Sequence, residues 1–376
     1  MASGVRYFEN AMVRDWLAEA NVIFEDSHYH PQYHDDKRRD DGTVYVGGTG
    51  VALALWRHAS VLSPAEATAA LWQAQHLLNA TRFPDQSYTF LTGAAGFHAV
   101  SAAVAFSLAL LLSEDDAPIQ GTESVTVVDA TRRHKATLPS SINLLEARDK
   151  AAQAVIDLVP SALQDAADEC DLMYGRAGLI YALLFVYKYS GLHAGKAGTD
   201  SLRHKDILAK IPLLTRQLVL QILARGKERR CATLPITFYW HGKPYLGAAH
   251  GLVGIVHTLL LADTVLPSPV LQPEEKELVV SAVVELLRGY RASNGNILST
   301  CGSNSDGILM HWCHGAPGAV MLVLRVCEAA PSRAEELLPV ALDLADAVWR
   351  HGLLKKVGDD YLVYSCNATH WLTLWE

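Results

Sequence analysis

The chain predicts an all-α protein, an α/α toroid whose helix pairs contribute one member to an inner ring and one to an outer ring. Three observations carry this. Gly-x-x-Gly turns recur, ending at Gly50, Gly96, Gly178 and Gly318, with a variant ending at Gly251 whose first position is Ala248. Each turn opens an apolar helical segment, and an amphipathic segment follows each of them. In such a pair the apolar helix lies inside, the amphipathic one covers it, and neighbouring pairs complete each other's core.

Taken in order, residues 8–24 place apolar side chains at helical spacing and predict an amphipathic helix, and the polar run 25–43 predicts a loop. The turn at 45–50 feeds an apolar helix. Ser63-Pro64-Ala65-Glu66 predicts the next start, with an N-cap serine, proline at the first helical position and glutamate three residues after the cap. That helix runs to about Thr81. The turn at 91–96 opens an apolar helix to Leu112, and a polar insert spans 113–140. Residues 142–160 are amphipathic, 173–178 turn into an apolar helix ending near Tyr189, and 201–224 are again amphipathic. The stretch 231–245, with two prolines and a Phe-Tyr-Trp cluster, predicts a loop or short hairpin. The turn at 247–251 opens an apolar helix, 273–290 gives an amphipathic one, and the stretch around Cys313 opens another. Ser332-Arg333-Ala334-Glu335 predicts a second capping box, with a helix to His351 ended by Gly352.

Composition narrows the function classes. The formal net charge is -8 and 19% of residues are charged, which argues against a nucleic-acid partner. Six cysteines at 170, 231, 301, 313, 327 and 366 are scattered over the chain, as in a reducing compartment. The N-terminus shows no apolar signal core. The expectation is a cytoplasmic protein, with peripheral association at the plasma membrane still compatible. Residues 87–113 and 244–262 carry no Asp, Glu, Lys or Arg and reach the length of a membrane span. Each contains histidine and glycines and abuts a polar loop, not a Lys/Arg-biased flank, so buried helices are expected and no spanning segment.

Chemistry concentrates in two turns. One bears His250. The other, His311-Trp312-Cys313-His314-Gly315-Ala316-Pro317-Gly318, packs a thiol and two imidazoles into eight residues. In a toroid the starts of the inner helices gather at one end, so the two turns can share a site. Cys313 reads either as a buried structural cysteine or as a ligand for a soft metal, for which cysteine and imidazole favour Zn2+ over Mg2+ or Ca2+. His250 reads as a ligand, a general acid/base near neutral pH, or a hydrogen-bonded core histidine.

Tyr245-Leu246-Gly247-Ala248-Ala249-His250-Gly251-Leu252 and the Cys313 stretch, with Tyr174-Gly175-Arg176-Ala177-Gly178 and Gly352-Leu353-Leu354-Lys355-Lys356, closely resemble the eukaryotic LanC-like proteins, relatives of bacterial lanthionine cyclases. The resemblance implies a double ring of seven helix pairs, a central zinc, and addition of the glutathione thiol to dehydroalanine or dehydrobutyrine in proteins. By position it implies Cys313 as a zinc ligand, His250 in proton transfer and Lys356 in glutathione contact, with no metal role for His311, His314 or Arg176. It also exposes a departure. The family's Cys-His-Gly, which supplies two further zinc ligands after the lysine pair, is absent, and Cys366 and His370 stand at the wrong spacing to replace it. About five of seven repeats are present, so the ring is expected to be open, with residues 1–356 as the toroid domain, 357–376 as a divergent tail, an incomplete zinc site and impaired transferase activity. The competing reading is a non-catalytic protein that binds glutathione or a signalling partner.

Overall fold

The computed structural model describes residues 42–82, 87–115, 141–167, 169–191, 202–228, 231, 233–302 and 310–352. The helix expected at 8–24, Lys356, Cys366, His370 and the boundary at residue 357 lie outside them. Eleven α-helices are described: α1 (Gly48–Ala59), α2 (Pro64–Ala80), α3 (Ala94–Asp115), α4 (Ser141–Asp157), α5 (Val159–Gln164), α6 (Arg176–Tyr189), α7 (Leu202–Glu228), α8 (Leu252–Val265), α9 (Pro273–Gly289), α10 (Ala316–Ala329) and α11 (Ala334–His351). A two-stranded hairpin, β1 (Tyr239–Trp240) and β2 (Lys243–Pro244), precedes α8.

The alternation read from the sequence is the packing pattern. Helices α1, α3, α6, α8 and α10 contact one another in that order, and each is covered by the amphipathic helix of its pair, α2, α4, α7, α9 or α11. Every residue from Leu252 to Asp263 of α8 is buried, as is nearly all of α6. This layering is the one an α/α toroid requires. In the predicted capping box, the Ser63 backbone N–H donates to Glu66 Oε2 at 3.1 Å. The second expected box does not form. A 3-10 turn at Pro331–Arg333 precedes α11, which starts at Ala334 without a side-chain cap. A box absent from the sequence reading forms instead before α9, where the Gln272 N–H donates to Glu275 at 2.8 Å. The helix expected over 142–160 breaks at Leu158, and Pro160 sits in the first turn of the short α5, where its missing N–H costs nothing.

The glycine turns are more regular than the sequence suggested. A Cβ on Gly50, Gly96, Gly178, Gly254 or Gly318 would collide with the carbonyl oxygen six residues earlier, on Val44, Phe90, Leu172, Ala248 or Trp312 respectively. The fourth turn is therefore an ordinary Gly251-x-x-Gly254, and the variant beginning at Ala248 is corrected. The first glycine of four of these turns is the N-cap of its helix. Hydrogen bonds then join the turns in sequence. The Tyr45 N–H donates to Leu91 O at 2.9 Å, Thr92 Oγ1 to Met173 O at 2.6 Å, the Leu172 N–H to Ala249 O at 3.2 Å, and the Ala249 N–H to Cys313 O at 3.4 Å. The inner-helix starts thus gather at one end.

Two helices, α3 over Ala94–Ser113 and α7, have the length and composition to cross a membrane, and 61% of the α3 window is buried inside the protein. The uncharged run at 244–262 yields only α8, whose 14 residues are short for a span. On the outer side, Arg148 and Asp149 of α4 meet His204 of α7 in a buried cluster. Arg148 Nη2 lies 2.8 Å and His204 Nδ1 3.0 Å from Asp149 Oδ1, and His204 Nε2 lies 3.2 Å from Ser190 Oγ, just beyond α6.

Candidate active site

Register in the repeat decides which side chains meet. The residue before the first glycine of each turn is Val46, Thr92, Tyr174, His250 and His314 in succession, and the one before that is Tyr45, Leu91, Met173, Ala249 and Cys313. The fourth and fifth turns therefore present His250, Cys313 and His314 at the same end, and the Ala249–Cys313 backbone bond holds those turns side by side. The Cys313 turn has its own constraint. Its N-cap Gly315 takes φ 133 and ψ -164, a region essentially reserved for glycine. Asn296 Oδ1, fully buried, accepts the Ala316 N–H at 2.7 Å and pins the helix start.

His250 sits in an aromatic and acidic surround. Its ring stacks on Trp240, centroids 3.7 Å apart and planes within 7°, and lies near-parallel to Tyr174 at 5.6 Å. Trp240 is carried by the hairpin, whose two-residue turn puts His241 and Gly242 at φ 46 and 73, the left-handed pair of a tight hairpin. The segment after it continues the pairing: the Cys301 N–H donates to Pro244 O at 3.0 Å and the Leu246 N–H to Ser299 O at 2.9 Å. On the other side His250 Nδ1 faces Asp171 Oδ2 at 3.5 Å, a loose contact, and neither atom has a hydrogen-bond partner among the described residues. Asp171 Oδ1 accepts the Tyr174 N–H at 2.7 Å, so the carboxylate is anchored by the third glycine turn.

Arg176 belongs to this scaffold. Its buried guanidinium donates to the main-chain oxygens of Ala162 at 3.1 Å and Asp165 at 3.4 Å, fastening the loop that leads to Glu169 and Asp171. Tyr245 lies between the two imidazoles, 6.1 Å from the His250 ring and 5.6 Å from that of His314. Burial, then the neighbouring His250 and His311, hold the His314 imidazole below its ordinary pKa and favour its neutral form.

The structure thus sets the His250 turn beside the turn that carries Cys313 and His314. Asp171, Trp240 and Tyr245 were missed as site residues. Asp171 stands four residues ahead of Gly175 and carried a usable signal, an acid just before a glycine turn; Trp240 was visible only as part of an aromatic cluster. Among the described residues no three His, Cys, Asp or Glu side chains form a group able to hold a metal ion. Zinc needs three or four donors, so these residues alone do not fit it.

The family model described as lanthionine synthetase C-like protein matches residues 136–358, more than half of the chain. The chain belongs to the lanthionine synthetase C-like family. It is 28% identical over 216 residues to a Danio rerio protein named glutathione S-transferase LANCL1, covering 55% of this chain and 47% of that protein. It is 29% identical over 191 residues to the LanC-like protein GCL1 of Arabidopsis thaliana, covering 50% of this chain and 38% of the relative. The chain thus spans less than half the length of both. Among solved structures, nisin cyclase shares its fold, with a TM-score of 0.55 at 12% identity over 92% of this chain and 77% of that one. The LanC-like arrangement of helix pairs is common to both.

Proposed function

We propose that this LanC-like chain adds the thiol of glutathione to dehydroalanine or dehydrobutyrine residues in proteins, with His250 moving the proton. The observation that carries the reading is the placement of His250 between Asp171 and Trp240 at the end of the inner helices where Cys313 also lies. The name of the zebrafish relative supports glutathione as the thiol. In the reaction the sulfur bonds to Cβ of the dehydroamino acid, the double-bond electrons pass to the carbonyl as an enolate, and Cα then takes a proton. With Nδ1 turned to Asp171, Nε2 of His250 is the nitrogen left to deliver it. The proton lost by the thiol restores the imidazolium, so the cycle closes without a further reactant.

Cys313 is the zinc ligand we propose, with Lys356 as a glutathione contact; with the family's Cys-His pair absent the metal site is incomplete in this chain, and the proton transfer is assigned to His250 without the ion. We further propose an open arc of five helix pairs over residues 1–356, working in the cytoplasm. The test is to purify the chain, measure zinc by elemental analysis, and follow thioether formation from glutathione and a dehydroalanine peptide. Stoichiometric zinc that falls in Cys313→Ala, with turnover above the protein-free rate, supports the reading; no turnover at any zinc content overturns it. A second reading, a glutathione-binding protein without chemistry, is favoured by the missing three-donor cluster among the described residues. Glutathione binding that depends on Lys356, without turnover or metal, would select it.

A further inference from the structure

Beside His250 lies a pocket of about 190 Å³, lined by Glu169, Asp171, His241, Arg225 and the ring of Trp240 among others. Its charge is unbalanced toward acid. The Arg225 guanidinium is bonded to Glu228 at 2.5 Å. Burial first, and then the carboxylates of Asp171 and Asp165, hold the Glu169 carboxyl above its ordinary pKa, against the opposing pull of His241 and His250. A cation entering here relieves that crowding. Asp171 is buried, 3% exposed, and its Oδ2 has no hydrogen-bond partner within the described residues, its nearest charged neighbour being His250 Nδ1 at 3.5 Å. A carboxylate oxygen has two lone pairs, so Oδ2 can serve the imidazole and a second donor together. A buried acceptor left open is costly unless something fills it. Trp240 lines the same pocket, and an aromatic ring attracts a cation.

We propose that this pocket is an ammonium-binding subsite in which the Glu169 and Asp171 carboxylates hold a primary ammonium group against the Trp240 ring. Two sources carry that chemistry: a lysine side chain near the dehydroamino acid on the acceptor protein, or the amino group at the glutamyl end of glutathione. The assignment of those sources rests on the function proposed above. The subsite itself is read by binding, so failure of the thioether assay and failure of the subsite are distinguishable.

The experiment is ligand-observed saturation-transfer NMR on the full chain, titrating N-acetyl-lysine amide against N-acetyl-norleucine amide, and glutathione against N-acetylglutathione. The ammonium-bearing member of at least one pair should bind roughly tenfold or more tightly than the partner that lacks the ammonium. That preference should collapse in Glu169→Gln, an isosteric change at a side chain for which no hydrogen bond is described. Preference in the lysine pair names the acceptor as the source; preference in the glutathione pair names the thiol substrate. Equal binding within both pairs on the unmodified protein overturns the subsite, whether or not the variant folds, and so does a preference that survives Glu169→Gln.

Discussion

At His250 the two faces of the site do different things. Trp240 stacks on the ring and fixes its plane, and Asp171 faces Nδ1, which leaves Nε2 for the proposed proton transfer. Asp171→Asn should therefore lower kcat by about tenfold or more, read by steady-state kinetics at saturating glutathione, since the carboxylate faces the imidazole that moves the proton. An unchanged kcat would remove Asp171 from the account. A second histidine reports on stability. Burial, with a smaller push from Arg325, holds His257 well below its ordinary pKa of 6.5. Below about pH 6.5 the unfolded chain takes up a proton there that the folded chain refuses, so stability falls as pH falls. The drop in Tm between pH 7 and pH 5.5 should shrink in His257→Leu; an identical drop would mean other groups set the acid limit.

Elements are held by features that the sequence displayed unevenly. The five glycine turns were legible because glycine is required wherever a helix start passes close under a carbonyl, and that requirement leaves a visible spacing. Their register in the fourth repeat was misread because Gly247, Gly251 and Gly254 stand close together and a Cβ on Gly251 or Gly254 alike would meet the carbonyl six residues earlier; the helix start, with Gly251 as N-cap, distinguishes them. Gly315 is the most demanding of the set. Gly315→Ala forces a side chain into a region essentially closed to it and should cost about 1–3 kcal/mol, seen as a lower Tm and a disturbed Cys313 turn. A neutral Tm would show that the backbone relaxes there. The joint between α4 and α7 was not legible, since Arg148, Asp149 and His204 look like surface residues of amphipathic helices. Buried together, they depend on one another, and Asp149→Ala should destabilise by about 3–5 kcal/mol in denaturant unfolding by stranding a buried guanidinium. A loss under about 1 kcal/mol would mean water reaches the cluster.

For the whole molecule, the arrangement of helix pairs was readable from periodicity because each pair repeats the same burial problem. The site was half readable. His250 and Cys313 stood out as residue types able to do chemistry on turns that repeated helix pairs place side by side, whereas Asp171, Trp240 and Tyr245 join them only through the hairpin and through hydrogen bonds between successive turns. Such long-range contacts leave no local pattern in a chain. Among the described residues, Leu342 and Trp349 of α11 are 70% and 72% exposed. The central claim is that this end of the ring performs proton-coupled addition of sulfur to a dehydroamino acid. The most direct measurement is mass-spectrometric quantification of the glutathione adduct of a dehydroalanine peptide, formed by the unmodified chain and by His250→Ala, each corrected for the protein-free rate. Adduct formation should fall by about a hundredfold or more in the variant, and equal rates for the two proteins would show that His250 does not move the proton.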